Sequence, residues 1–153
     1  NNSITNAGSV VILYGETGNL VTKDSKKQTF RQGLQGLSGQ PEPNDRFGTA
    51  LAVGDFNCDK VDDLAIGTPY EKIGSAKPEA VMVHILYGKD GVGLTGQDSQ
   101  KILGNEEHAR FGFSLAAGNF YDSDYTDFCL RNLDGFCLTC FSSIVWGAHA
   151  CFS

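Results

Sequence analysis

Two stretches of this chain occur twice, and a chain that repeats itself at such an interval must stack copies of one supersecondary unit. Gly8–Gly15 (GSVVILYG) returns as Ala80–Gly88 (AVMVHILYG), and Asp45–Phe56 (DRFGTALAVGDF) returns as Ala109–Phe120 (ARFGFSLAAGNF). Gly15 recurs as Gly88 and Phe47 as Phe111, offsets of 73 and 64 residues. The two halves keep their order while the loops between them change length. In 153 residues there is room for about two such units and enough chain to bury a core.

Each unit reads as short strands. Val10–Tyr14 and Val81–Tyr87 are β-branched and aromatic runs ended by glycine. Thr49–Val53 and Ser114–Ala117 are apolar stretches bracketed by Gly48/Gly54 and Gly112/Gly118, and Asp63–Gly67 is a third strand stopped by Thr-Pro-Tyr. No segment sustains a 3.6-residue apolar period over helical length. The 19 glycines against four prolines suit tight turns between strands rather than a disordered linker. Short strands at even spacing, with one motif per sheet, describe the blades of a β-propeller.

The order Phe-Gly…Leu-Ala-x-Gly-Asp-Phe, then Asp-x-Asn-x-Asp-x-x-x-Asp-Leu-Ala-Ile-Gly, then Leu-Tyr-Gly resembles the FG-GAP repeat, which builds the propeller of integrin α subunits and of many secreted bacterial proteins. The resemblance covers roughly residues 7 to 120 and is closest over 45 to 69. It implies an all-β fold, a partial β-propeller of four-stranded antiparallel blades that leaves the ring incomplete. Residues 1–44 are read as the end of one blade with its connecting loop. Residues 45–108 form a complete blade with a calcium loop, 109–128 the start of the next, and 129–153 a divergent Cys-rich tail. The remaining blades would come from further sequence or from self-association, since exposed sheet edges invite pairing.

The sharpest chemistry lies between two of these strands. Asp55, Asn57, Asp59 and Asp63 occupy positions 1, 3, 5 and 9 of a tight loop, with the carbonyl of Val61 at position 7. Oxygen ligands at that spacing wrap a hard cation in the EF-hand manner, and three carboxylates with an amide suit Ca²⁺ better than Mg²⁺. The competing reading is an acidic surface turn. Cys58 and Lys60 stand where the family usually has glycine, which implies backbone strain and weaker binding. In the next repeat Asn119, Tyr121, Ser123 and Asp127 fall at the matching positions with two carboxylates lost. A shifted loop using Asp122, Asp124 and Asp127 has the wrong spacing.

Other motifs carry less. Gly91-Val-Gly-Leu-Thr-Gly96 matches a dinucleotide fingerprint, but no helix of sufficient length follows and no acidic residue lies near position 116. It reads as a glycine-rich hairpin. His84, inside an apolar strand, reads as a packed histidine rather than a ligand. Cys58 stands apart from Cys129, Cys137, Cys140 and Cys151, and an odd count leaves at least one thiol unpaired. The tail is compatible with a zinc site, a disulfide or a degenerate end, and a shifted reading frame would write a similarly abrupt change.

The net charge of −6 argues against nucleic acid as a partner, and no apolar stretch reaches the roughly 20 residues of a membrane span. No nucleophile elbow or His-Glu-x-x-His is present, so the chain reads as a non-enzyme. The resemblance implies an extracellular or cell-surface module that binds a protein ligand or partner subunit, for adhesion or assembly. Its contacts would come from loops such as Gly33–Arg46 and Pro69–Glu79. The alternative is an accessory propeller of a secreted hydrolase resembling the phospholipase that cleaves lipid anchors.

Overall fold

A computed structural model describes residues 4–16, 19–20, 27–72, 82–103, 112–119, 127–131 and 137–141. Every regular element among them is a strand, and the fold is all-β as the repeat requires. The strands are β1 (Val10–Leu13), β2 (Gly15–Glu16), β3 (Asn19–Leu20), β4 (Lys27–Phe30), β5 (Ala50–Gly54), β6 (Asp63–Thr68), β7 (Met82–Lys89), β8 (Gly93–Leu103), β9 (Ser114–Gly118), β10 (Asp127–Arg131) and β11 (Cys137–Phe141).

β5 to β8 form one four-stranded antiparallel meander in chain order, which is the complete blade. Before it, β1 pairs antiparallel with β4, and β2 with β3 in a short hairpin. After it, β9, β10 and β11 make a three-stranded antiparallel sheet. The sheets do not close into a ring, so the fold is a partial propeller. Pairing continues through Phe141, and the expected boundary between residues 128 and 129 falls inside β10.

The central blade is covered on both faces, which explains why β6 is buried at every residue from Asp63 to Thr68. The strand's period of two sends alternate side chains to opposite sides. Leu64, Ile66 and Leu86 join Val10, Phe30, Leu37 and Phe47 in a core shared with the β1–β4 sheet. Ala65, Val83 and Ile85 join Ala52 and Phe56 on the other side, where Leu115 and Ala117 of β9 pack on them. Burying each such Ile or Leu stabilises by about 1.5–3 kcal/mol.

The Phe-Gly pair has a physical role. Phe47 is buried and meets the His84 ring edge-on at 5.5 Å. Gly48 adopts φ 91°, and a Cβ there would lie 2.8 Å from Cγ2 of Val10. Gly112 of the next repeat has φ 73°, and its Cβ would lie 3.0 Å from Cγ2 of Val83. Val10 and Val83 are themselves repeat counterparts, so the same interlock recurs at successive joints.

Gly91–Gly96 is the β7–β8 turn followed by the first residues of β8, in agreement with the hairpin reading. The length of β8, 11 residues with a register shift between Ile85 and Tyr87, was not legible in its polar sequence.

Candidate metal site and the blade joint

The acidic loop links β5 to β6. Asp55 follows the last residue of β5 and Asp63 opens β6, so the sheet fixes both ends. Between them the chain turns sharply, with Cys58 at φ 64° and Lys60 at φ 70°. These are the two positions where the resemblance leads to an expectation of glycine. Each non-glycine residue in this left-handed region costs roughly 1 kcal/mol.

Side-chain oxygens hold the turn from inside. Asp55 accepts from the backbone N–H of Asp59 at 3.0 Å through Oδ1 and from that of Lys60 at 2.8 Å through Oδ2. Asn57 Oδ1 also accepts from the Asp59 N–H at 3.0 Å. Asp59 Oδ1 accepts from Val61 N–H at 2.8 Å, and its Oδ2 accepts from the Asn57 amide at 2.9 Å. Asp63 differs in being buried, with 1% of its surface exposed. Its Oδ2 accepts from Phe56 N–H at 2.8 Å and its Oδ1 from Gly88 N–H at 2.9 Å.

Burial pushes the Asp63 carboxyl up to about 6. The two N–H donors pull it back, and the charges of Asp59 and Asp55 add to the rise. The loop thus supplies side-chain oxygens of the hard kind that suits Ca²⁺, ahead of a buried carboxylate. Each oxygen that accepts one N–H keeps further lone-pair capacity. In the present geometry, however, no three His, Cys, Asp or Glu side chains among the described residues lie together as a metal centre. Val61 is half-buried at the position expected to offer its carbonyl.

Cys58, at the tip of the loop and far in sequence from the other cysteines, is disulfide-bonded. All four other cysteines lie in residues 129–151, whose side chains are outside the described residues, as is the tail's candidate zinc set. Of the second candidate loop Asn119 is described and exposed, Asp127 is described only as the first residue of β10, and Tyr121 and Ser123 lie outside the described residues.

His84 is fully buried, as a packed histidine should be. Its Nε2 lies 2.9 Å from the Ser38 carbonyl and so carries the proton. Burial holds its pKa below the usual imidazole value. The Gly33–Arg46 loop that supplies Ser38 is itself anchored, with Leu37 in the core. Arg46 lies over the Tyr70 ring at 4.7 Å. Most of Pro69–Glu79 lies outside the described residues.

A second acidic group lies at the joint between the first two sheets. Gln32, buried just after β4, donates its amide to Glu71 Oε2 at 2.5 Å. Asp45 Oδ2 accepts from Glu42 N–H at 2.5 Å. Burial pushes the Glu71 carboxyl up to about 7, with Asp45 and Glu42 raising it further and Lys101 opposing. Spacing gives no hint of this group, because its members come from three separate segments. A raised folded-state pKa means that Glu71 contributes full stability below its ordinary 4.5 and loses it as pH rises through about 7. Glu71→Gln is therefore expected to be more stable than wild type at pH 8, by on the order of 2–3 kcal/mol, and equal to it near pH 4.5. Urea unfolding across that range measures the difference, and parallel profiles for the two proteins would contradict it.

A four-stranded blade held face to face between two further sheets, with an acidic loop closing its first hairpin, defines a blade-built repeat protein. Residues 47–86 match the family model of the FG-GAP repeat. The chain thus carries an FG-GAP repeat. It is 33% identical over 115 residues to phosphatidylinositol-glycan-specific phospholipase D of Homo sapiens, an alignment covering 73% of this chain and 13% of that protein. It is 37% identical over 118 residues to integrin alpha-E of Mus musculus, covering 73% of this chain and 10% of the relative. Integrin alpha-M of Mus musculus is 39% identical over 83 residues, or 52% of this chain and 7% of the relative. The chain thus spans about an eighth of the phospholipase and a tenth of integrin alpha-E.

Proposed function

We propose that the chain is a calcium-stiffened FG-GAP module of an extracellular or cell-surface protein, a non-catalytic element that presents loops to a protein ligand or partner subunit. The observation that supports it most directly is the loop Asp55–Asp63, in which Asp55, Asn57 and Asp59 oxygens gather in one tight turn that ends on the buried Asp63. Asp55, Asn57, Asp59, Asp63 and the Val61 carbonyl would hold the ion. A bound cation neutralises the crowded carboxylates, returns Asp63 to its charged form and rigidifies a turn strained at Cys58 and Lys60. Similarity to integrin α chains supports the extracellular setting and the adhesive role. No helix among the described residues is long and apolar enough to cross a membrane.

The similarity to phosphatidylinositol-glycan-specific phospholipase D favours a second reading, an accessory blade of a larger hydrolase. It leaves the role of the loop unchanged and places any catalysis in sequence outside this chain.

Thermal unfolding with and without millimolar calcium tests the metal. A cation that binds only the folded state raises its stability by mass action, about 2.7 kcal/mol at a hundredfold excess over Kd. Calcium is expected to raise the melting temperature of wild type and to leave Asp55→Ala unmoved. If neither protein responds, the loop is an acidic turn and the calcium reading fails, with the FG-GAP fold intact.

A further inference from the structure

The Gly33–Arg46 loop is closed at its base by polar groups whose bonding is unfinished. Gln32 precedes the loop, Glu42 and Asp45 lie near its end, and Glu71 arrives from the turn after β6. Gln32, Asp45 and Glu71 are all buried. The Gln32 side chain runs directly beneath the loop, since a Cβ on Gly39 would lie 3.0 Å from its Nε2. That same Nε2 donates to Glu71 Oε2, so one amide joins the loop to the central blade.

Three acceptors in this group have no partner: Gln32 Oε1, Asp45 Oδ1 and Glu42 Oε2. Buried acceptors without a donor are costly, and what the group lacks is a hydrogen. A proton on Glu71 supplies one. The neutral acid gains an O–H donor, and the amide already bonded to it holds an acceptor without a partner. Acid and amide then close a ring of two hydrogen bonds. Ionised, Glu71 offers no donor. Burial disfavours its charge and Asp45 and Glu42 repel it, with the Gln32 N–H and Lys101 of β8 opposing. Lys72 counters the charge of Asp45. From β7, His84 holds the Ser38 carbonyl of the same loop, and burial favours its neutral form. Glu71 follows β6 in a turn, its N–H donating to the Thr68 carbonyl at 3.4 Å, so its side chain can leave without breaking the sheet.

We propose that Glu71 and Gln32 form a proton-operated clasp at the base of the Gly33–Arg46 loop. Neutral Glu71 closes it, and ionised Glu71 withdraws toward water and frees the segment from Gly39 to Asn44. Leu37 stays in the core, so the loop loosens on one arm only. Presentation of that arm to a protein partner then depends on pH, a consequence that rests on the contact role proposed for this loop. The clasp itself does not.

NMR on the full chain, in chelator at pH 6 and pH 8, tests it. The Glu71 carboxyl carbon is expected to titrate near 7. Backbone order parameters of Gln40, Glu42 and Asn44 are expected to fall from about 0.85 at pH 6 to below about 0.6 at pH 8, with Ile85 rigid throughout. Glu71→Gln keeps a neutral amide partner and is expected to hold the segment rigid at both pH values. Gln32→Met removes the amide and is expected to leave it mobile at both. Equal order at the two pH values in wild type overturns the proposal, as does loosening with pH that persists in Glu71→Gln, or a Glu71 that titrates near its ordinary 4.5. So does order restored at pH 8 by calcium in wild type and Asp55→Ala alike, because the unpartnered oxygens would then hold a cation. These readouts involve neither the Asp55–Asp63 loop nor a partner, so their failure is distinct from failure of the calcium reading.

Discussion

Gly67→Ala is expected to destabilise the chain by about 3 kcal/mol or more, enough to unfold a domain of ordinary marginal stability. A Cβ on Gly67 would lie 2.0 Å from the carbonyl oxygen of Gly112 and 3.2 Å from its Cα. Both are backbone atoms, so no side chain can swing aside to make room. Relief requires moving β9 off the central blade, which would expose the core that Leu115 and Ala117 cover. Gly91→Ala is the control. A Cβ there meets nothing within 4 Å, although the φ of 68° still costs roughly 1 kcal/mol. Urea unfolding of the two variants should separate them clearly, and equal losses would show that the sheet contact at Gly67 is loose.

The second large effect is expected at Asp63. Both of its oxygens accept from buried backbone N–H groups, Phe56 in the loop after β5 and Gly88 in β7. Asp63→Ala orphans both donors, and each buried unsatisfied donor costs about 1–3 kcal/mol. A loss of about 2–5 kcal/mol is therefore expected in the absence of any metal. Asp55→Ala removes bonds from an exposed turn and is expected to cost about 1 kcal/mol. The two carboxylates thus have different ranks: one ties the blade together whether or not a cation binds, and the other serves mainly the loop. Unfolding both variants in chelator gives the comparison, and equal losses would deny Asp63 its structural role.

How much of this was legible in the residues follows from range. The strands Val10–Leu13 and Ala50–Gly54 announced themselves because each is short, apolar, bounded by glycine and copied elsewhere in the chain, and Asp63–Thr68 because it is a short apolar run stopped at Pro69. The acidic loop was legible because its members are neighbours in sequence. The double role of Asp63 was not, since its partner Gly88 arrives from another strand. The Gln32–Glu71 contact across 39 residues was hidden for the same reason. So was the bonded state of Cys58, which looked solitary because cysteines that pair in space need not be near in sequence. β8 escaped because its polar residues carry almost no alternation, and its long pairing with β7 supplies what its own sequence lacks.

The recurrence of one interlock at Gly48–Val10 and Gly112–Val83 has an evolutionary corollary. A unit whose front fits the back of its own copy carries a rule for growth. Duplicating the coding segment lengthens the array without inventing an interface, because the new junction is already solved. The same rule constrains drift. A bulkier residue facing one glycine is tolerated only if that joint alone adapts, so neighbouring units can diverge in their loops far faster than in the few atoms by which they stack.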